Sequence, residues 1–330
     1  YWEVWHGNKP FSEYRKYFFR YASEFGFQSF PSVKTLETVT DDPKELNPFS
    51  YVMEKHQRNY GGNGKIAKYM QAAYRYPENF SDFVYASQLL QADGIRYGVE
   101  HYRRNRGRCM GAIYWQLNDC WPVISWSSID YYGRWKALHY YAKRFFAPVM
   151  LSCEEQSWMT VEADMNRQHF EFEKSIRLNV TNETLDAHRV LVKWAVRKTD
   201  ATILREEEQW LEVPALSAVW MDKVELPQID CFNEYVSYEA WENDQIISQG
   251  TVIFSYPKYF HYLNPGLAVR VDGDEIVVKA EAYAKSVEIR NENDDLILED
   301  NYFDMNAGEY RVKILDGKPD GLKVRSVYDI

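Results

Sequence analysis

A lone glutamate is the residue in this sequence best placed to do chemistry. Glu24 lies in Tyr21-Ala22-Ser23-Glu24-Phe25-Gly26-Phe27-Gln28-Ser29-Phe30-Pro31, among aromatic side chains, with Arg20 the nearest charge along the chain. A carboxylate on a buried strand is expensive to desolvate unless it is paired or hydrogen-bonded. It therefore has a purpose, either a structural hydrogen-bonding role or a catalytic one. A second group follows in Tyr114-Trp115-Gln116-Leu117-Asn118-Asp119-Cys120-Trp121-Pro122. A Trp followed by amides and a carboxylate offers stacking plus orientation, with Asn118 and Asp119 as the polar partners. The same residues also read as a core Trp followed by an ordinary turn.

Regular elements must hold these groups. Glu78 to Arg106 carries Phe80, Phe83, Val84, Leu89, Leu90, Ile95 and Val99 near a 3.6-residue period, which predicts a long helix stopping at Asn105 and Gly107. The dense basic stretch Arg103 to Arg108 reads as its C-terminal turn, favourable with the helix dipole. Cys109 to Trp115 is a continuous apolar run, expected as a strand buried on both faces, and Phe18 to Phe27 as a comparable strand. Arg134 to Phe146 predicts another helix, closed by Pro148. Buried strands alternating with helices indicate a parallel sheet, in a (β/α) barrel or a doubly wound fold. Gly61-Gly62-Asn63-Gly64-Lys65-Ile66 lacks both a Ser or Thr after the Lys and an apolar strand before it, so it reads as a mobile loop rather than a phosphate cradle.

The texture changes after about residue 150. Arg177 to Val180, Val190 to Val196, Glu234 to Trp241 and Ile246 to Phe254 alternate apolar and polar residues between turn signals. Ala268 to Val271, Glu275 to Ala280, Ser286 to Arg290 and Glu309 to Leu315 form a second such set. Short strands so spaced indicate β-sandwiches, with a boundary near Ser255 to Lys258. The expected fold is α/β plus all-β, divided at residues 1–148, 149–257 and 258–330. Trp158, Trp194, Trp210, Trp220 and Trp241 are expected as core and interface residues, without an aromatic row for sugar binding. Glu206-Glu207-Glu208 reads as a solvated turn.

Composition excludes several functions. With 39 basic against 49 acidic side chains and a net charge of −10, the chain lacks the clustered cations a nucleic-acid partner requires. Its apolar runs fall far short of the roughly 20 residues of a membrane span. Four cysteines without CxxC spacing argue against a disulfide framework or a zinc site. No cofactor motif appears, and no metal is called for. The informative excess is aromatic, at 11 Trp, 26 Tyr and 17 Phe, because such side chains suit sugar rings with apolar C–H faces and hydroxyl edges.

Ser23 to Pro31 resembles the nucleophile segment of the β-mannosidases of glycoside hydrolase family 2. Gly111 to Pro122 is similar to their last barrel strand and its loop. Ser125-Trp126-Ser127-Ser128-Ile129-Asp130 and Gly133 to Tyr140 continue the likeness, and Trp5-His6-Gly7 resembles the segment before the nucleophile. Asp300-Asn301-Tyr302-Phe303-Asp304 with Gly308-Glu309 resembles a piece of the terminal sandwich. The resemblance implies the C-terminal part of a (β/α)8 barrel followed by two Ig-like β-sandwich domains. It implies a retaining exo-hydrolase of terminal non-reducing β-D-mannose residues, with Glu24 as nucleophile at the end of the seventh barrel strand. Trp115 takes the place of the platform under the terminal sugar, with Trp5, Asn118 and Asp119 as further substrate contacts. It also implies a cis peptide between Trp115 and Gln116. His6, 18 residues before Glu24, stands where similar proteins often carry a Tyr that hydrogen-bonds the nucleophile, and is expected to do the same work through a ring N–H, the plainer reading being a packed or surface His.

One departure matters. The family's acid/base Glu belongs to an Asn-Glu pair upstream of the nucleophile, whereas here Asn182-Glu183, Asn233-Glu234 and Asn291-Glu292 all fall in sandwich texture. The chain is therefore expected to be part of a longer enzyme, to have the missing N-terminal portion as partner, and to be inactive alone. β-Mannoside oligosaccharides or glycoconjugates are the expected substrates. β-Galactosidase, β-glucuronidase or exo-glucosaminidase specificity, or a non-catalytic accessory role, are the alternatives. The compartment is not legible, an exported, periplasmic or lysosomal one being preferred to the cytoplasm.

Overall fold

Two short strands frame the first part of the chain. The computed structural model describes residues 1–161 and 171–330. Strand β1 (Ala22–Phe25) pairs in parallel with β2 (Ala112–Tyr114), setting Ala22 opposite Ala112 and Phe25 opposite Tyr114. Parallel neighbours need a crossover. It is supplied by α1 (Val33–Leu36), α2 (Tyr51–Lys55), α3 (Gly62–Ala73) and the 25-residue α4 (Phe80–Arg104), while α5 (Ala137–Phe145) follows β2. The Asn79 side chain accepts from the Asp82 N–H and starts α4. Glycine inside a helix costs about 1 kcal/mol relative to alanine, yet α4 holds Gly94 and Gly98. A Cβ on Gly98 would stand 2.7 Å from the Phe25 ring, and one on Gly94 2.8 Å from Phe11, so both glycines let rings seat directly on the helix.

The strands are shorter and less covered than the apolar runs imply. Phe18 to Phe27 contributes only the four residues of β1, and Cys109 to Trp115 only the three of β2. Ile113 is 53% exposed, because among the described residues these two strands pair only with each other and one face lacks a covering layer. Gly61 to Ile66 is no loose loop: Gly61 takes a left-handed conformation (φ 70°), α3 starts at Gly62, and Asn63 is buried, bonded to Gln57 and the Pro48 carbonyl.

The remainder is β-structure. Strands β3 (Val149–Gln156), β4 (Ser175–Asn182), β7 (Ser217–Trp220) and β8 (Val224–Glu225) form one sheet, with β4 central. The facing sheet runs in the order β10 (Gln245–Ile253), β9 (Glu234–Glu242), β5 (His188–Lys198), β6 (Ile203–Val213). Val190, Val192, Trp194, Val236 and Tyr238 project from it into the core between the two sheets. A 3-10 turn at Pro257–Tyr259 leads to the last unit. There β11 (Ala268–Asp272), β12 (Glu275–Ala280), β16 (Gly308–Asp316) and β14 (Ile297–Leu298) pack with β13 (Ala284–Arg290), β15 (Phe303–Met305) and β17 (Lys323–Arg325). Two sandwich readings are corrected. Glu206 to Glu208 lie within the 11-residue β6 rather than in a turn, and Trp210 is 54% exposed rather than buried in a core or interface.

Ionic contacts tie α4 and its neighbours to both sandwiches. Arg15 reaches Glu155 of β3 at 2.7 Å, and the Tyr97 hydroxyl of α4 donates to the same carboxylate. Arg325 of β17 pairs with Asp82 of α4 at 3.0 Å and with Glu288, and Arg144 of α5 pairs with Asp300 at 2.5 Å. Burial pushes the Glu155 carboxyl up, but Arg15 and the Tyr97 hydroxyl outweigh it and hold the pKa below the ordinary 4.5. A depressed folded-state pKa contributes stability above about pH 4.5 that is lost as pH falls below it. Glu155→Gln, which leaves Arg15 buried without its counter-charge, is expected to cost about 3–5 kcal/mol. Urea titrations at pH 7 and pH 3.5 check both points: the variant's deficit shrinks at the lower pH.

Candidate active site

The parallel pairing brings the two chemically interesting segments to the same end of the sheet. Glu24 is the penultimate residue of β1, and Trp115 directly follows β2. The Trp115 N–H donates to the Phe25 carbonyl at 2.7 Å, extending the ladder one residue beyond the strand. Gly26 makes this approach possible. A Cβ there would stand 2.4 Å from the Trp115 carbonyl oxygen, 3.0 Å from Cδ1 of Trp126 and 3.1 Å from Cη2 of Trp2. Three tryptophans thus close around a position with no side chain, two residues from the glutamate.

Glu24 is half-buried, and its Oε2 accepts from the Trp2 indole N–H at 3.0 Å. Trp2 is held in a tight turn, its carbonyl accepting from the His6 N–H at 2.7 Å, and its ring meets Trp126 edge-on at 6.1 Å between centroids. The donor assigned to His6 therefore comes from another residue. The His6 ring, exposed on one side, packs beside Trp2 at 5.3 Å, and its partial desolvation, then the charge of Lys65, push its pKa down. Nothing in the sequence singles out Trp2, because a separation of 22 positions from Glu24 leaves no spacing signature.

Trp115 is 45% exposed, and the peptide joining it to Gln116 is cis, as expected. The following loop is fastened from within. The Gln116 side-chain amide donates to the Asn118 carbonyl at 2.9 Å and to Asp119 at 3.1 Å, and the Ser125 hydroxyl donates to Asp119 at 2.7 Å. Asp119 is thus occupied in shaping the loop, while Asn118 stands exposed at its tip. Lys136 lies fully buried nearby, its ammonium on the Ser29 carbonyl at 3.3 Å. Burial pushes its pKa down to about 8 against the opposing pull of Asp119 and Asp130. Trp5 does not serve as a sugar platform: it is fully buried, edge-on to Phe27 and Trp126, with the Lys65 ammonium 4.9 Å from its ring.

The arrangement offers one carboxylate with an oxygen held by an indole N–H, near the end of β1, and a solvent-open indole just past the end of the neighbouring strand. The Asn-Glu pairs lie elsewhere, in the sandwiches: Glu183 bonds Arg106 at 3.1 Å, and Glu234 begins β9.

Over 99% of its length the chain is 30% identical to β-mannosidase B of Thermothelomyces thermophilus, covering 41% of that protein. Its relatives are β-mannosidases. The β-mannosidase of Capra hircus is 39% identical over 144 residues, 40% of this chain and 16% of that one. Residues 174–259 match the mannosidase Ig/CBM-like domain, and residues 262–330 match an Ig-fold domain. The crystal structure of β-D-mannosidase from Dictyoglomus thermophilum superposes with a TM-score of 0.85 at 26% identity, over 99% of this chain and 40% of that one. An exo-chitosanase of Amycolatopsis orientalis shares the fold at 16% identity and a TM-score of 0.66, over 96% of this chain and 45% of that one. The chain spans about two fifths of the length of the β-mannosidases it matches.

The close approach at Gly26 has a measurable cost if filled. Gly26→Ala sets a methyl against the Trp115 backbone, and overpacking of this kind costs about 1–3 kcal/mol. Urea unfolding followed by tryptophan emission is expected to report that loss together with a changed native spectrum.

Proposed function

We propose that this chain carries the nucleophile of a retaining exo-β-mannosidase, with Glu24 attacking the anomeric carbon of a terminal β-D-mannose residue. The observation that carries the reading is the Glu24 carboxylate, held through one oxygen by Trp2 near the end of β1, on a strand whose backbone pairs with that of the exposed Trp115 at the end of its neighbour. Kinship with β-mannosidases supports the sugar.

In this reading residues 1–148 are the C-terminal part of a (β/α)8 barrel, whose active sites are built at the C-terminal ends of the strands. Residues 149–257 and 258–330 are Ig-like sandwiches that buttress it. The indole N–H on Oε2 leaves Oε1 to form the bond to C1. Trp115 lies beneath the apolar face of the sugar as positive charge develops on the ring, and the loop fixed by Asp119 keeps that indole in place. Asn118, exposed at the loop tip, is a substrate contact.

Retention requires a second carboxyl about 5–5.5 Å from the first, to protonate the leaving oxygen and then activate water. The rest of a longer enzyme supplies that acid/base Glu, and the chain alone does not turn over. The exposed face of β1 and β2 is where the remaining barrel strands pack.

Glu24→Gln in the longer enzyme is expected to lower kcat/KM for an aryl β-mannoside by several orders of magnitude, since it removes a covalent nucleophile. A loss of only a few-fold overturns the assignment. Trp2→Phe keeps the ring and deletes the donor to a charged group, a contribution of about 1.5–3 kcal/mol, so kcat/KM is expected to fall about ten- to a hundredfold. A panel of aryl glycosides differing in sugar tests the preference for mannose.

A further inference from the structure

The outward face of the β10–β9–β5–β6 sheet carries a row that the pairing register lines up across all four strands. Trp210 of β6 stands opposite Leu191 of β5, Leu191 opposite Trp241 of β9, and Trp241 opposite Ile246 of β10. Side chains of directly paired residues share a face, and the core side chains Val190, Val192, Leu211 and Ala240 mark the opposite one. Trp210 is 54% and Ile246 42% exposed, while Leu191 and Trp241 are half-buried. Scattered exposed apolar side chains are ordinary, but a contiguous apolar row is a mark of binding.

The other end of the same face is already covered. Tyr235 stacks on Tyr283 of the last sandwich at 3.8 Å, and Gln249 donates to the Tyr310 hydroxyl at 3.2 Å. Between the covered end and the tryptophan row lies a groove of about 440 Å³, lined by Lys193, Arg197, Glu206, Glu208, Ser237 and Glu239.

We propose that this row and groove form a non-catalytic platform for a neutral, extended oligosaccharide. Trp210 and Trp241 are two strand spacings apart, about 9.6 Å, close to the disaccharide repeat of an extended β-1,4-linked chain. Alternate rings of such a chain meet the two indoles, with Leu191 beneath the ring between them. The groove sets two cations, Lys193 and Arg197, among the carboxylates of Glu206, Glu207, Glu208 and Glu239, an acidic balance that disfavours a polyanion while supplying both donors and acceptors to hydroxyl groups. Arg189 stands 4.6 Å from the Trp210 ring and Lys193 5.5 Å from that of Trp241. Both belong to exposed ion pairs, with Glu212 at 3.4 Å and Glu208 at 3.4 Å, of the kind worth about 0–1 kcal/mol, so they yield readily to a sugar. The choice of a mannan as the glycan rests on the β-mannosidase reading; the platform itself does not.

Affinity electrophoresis of the 330-residue chain tests this without turnover. Native gels containing soluble β-1,4-galactomannan are expected to retard it, whereas heparin in the running gel is not. Trp210→Ala/Trp241→Ala is expected to abolish retardation with an unchanged unfolding transition, and each single variant to weaken binding at least tenfold. No retardation, retardation that survives in the double variant, or a concentration-dependent dimer abolished by the same substitutions overturns the platform. Retardation by hydroxyethylcellulose but not galactomannan overturns the mannan assignment. Glu24→Gln leaves retardation unchanged, so failure of the nucleophile assignment and failure of the platform are separately visible.

Discussion

The absence of a side chain at Gly26 is the constraint on which the site depends. Parallel pairing alone brings β1 and β2 side by side, but the ladder continues to Trp115 only because the backbone can close on a position without a Cβ. That contact aligns the ends of two strands, gathers Trp2, Trp115 and Trp126 around one point, and lets the Trp2 indole reach Glu24. The half-buried carboxylate thereby gains a donor for one of its oxygens, which offsets part of its desolvation.

Helix α4 carries this arrangement to the rest of the molecule. Its Gly98 receives Phe25 from the strand bearing Glu24, its Tyr97 meets Glu155 of the first sandwich, and its Asp82 meets Arg325 of the second. Buried ionic contacts are poor sources of net stability but are strict about geometry. The sandwiches are thus keyed to the same helix that seats the strand.

The parts of this structure legible in the sequence are those set by short-range pattern. The 3.6-residue period of α4 and the alternation of β5, β9, β10, β12 and β16 are local signals, and they appear close to where the sequence places them. Glu24 and Trp115 stand out because a carboxylate among aromatics and a Trp before a polar loop are unusual locally. What depends on distant partners was not legible. Trp2 reaches Glu24 through a turn that no spacing announces, while Trp5, three residues on, is swallowed by the core. Glu206 to Glu208 looked like a turn because a charged run carries no alternation. They form part of a strand because β5 pairs along its whole length. Trp210 looked like core for the same reason: its exposure depends on what lies opposite its face.

Strand β6 has a further consequence. It is the outermost strand of its sheet, 11 residues long, with Ile203, Leu204 and Trp210 exposed along it. Such an edge offers unpaired backbone groups to any other chain, and proteins commonly guard it with charge. Here three consecutive glutamates occupy its middle, so two molecules meeting edge to edge bring like charges into register. That repulsion keeps the exposed edge from templating a strand of another molecule.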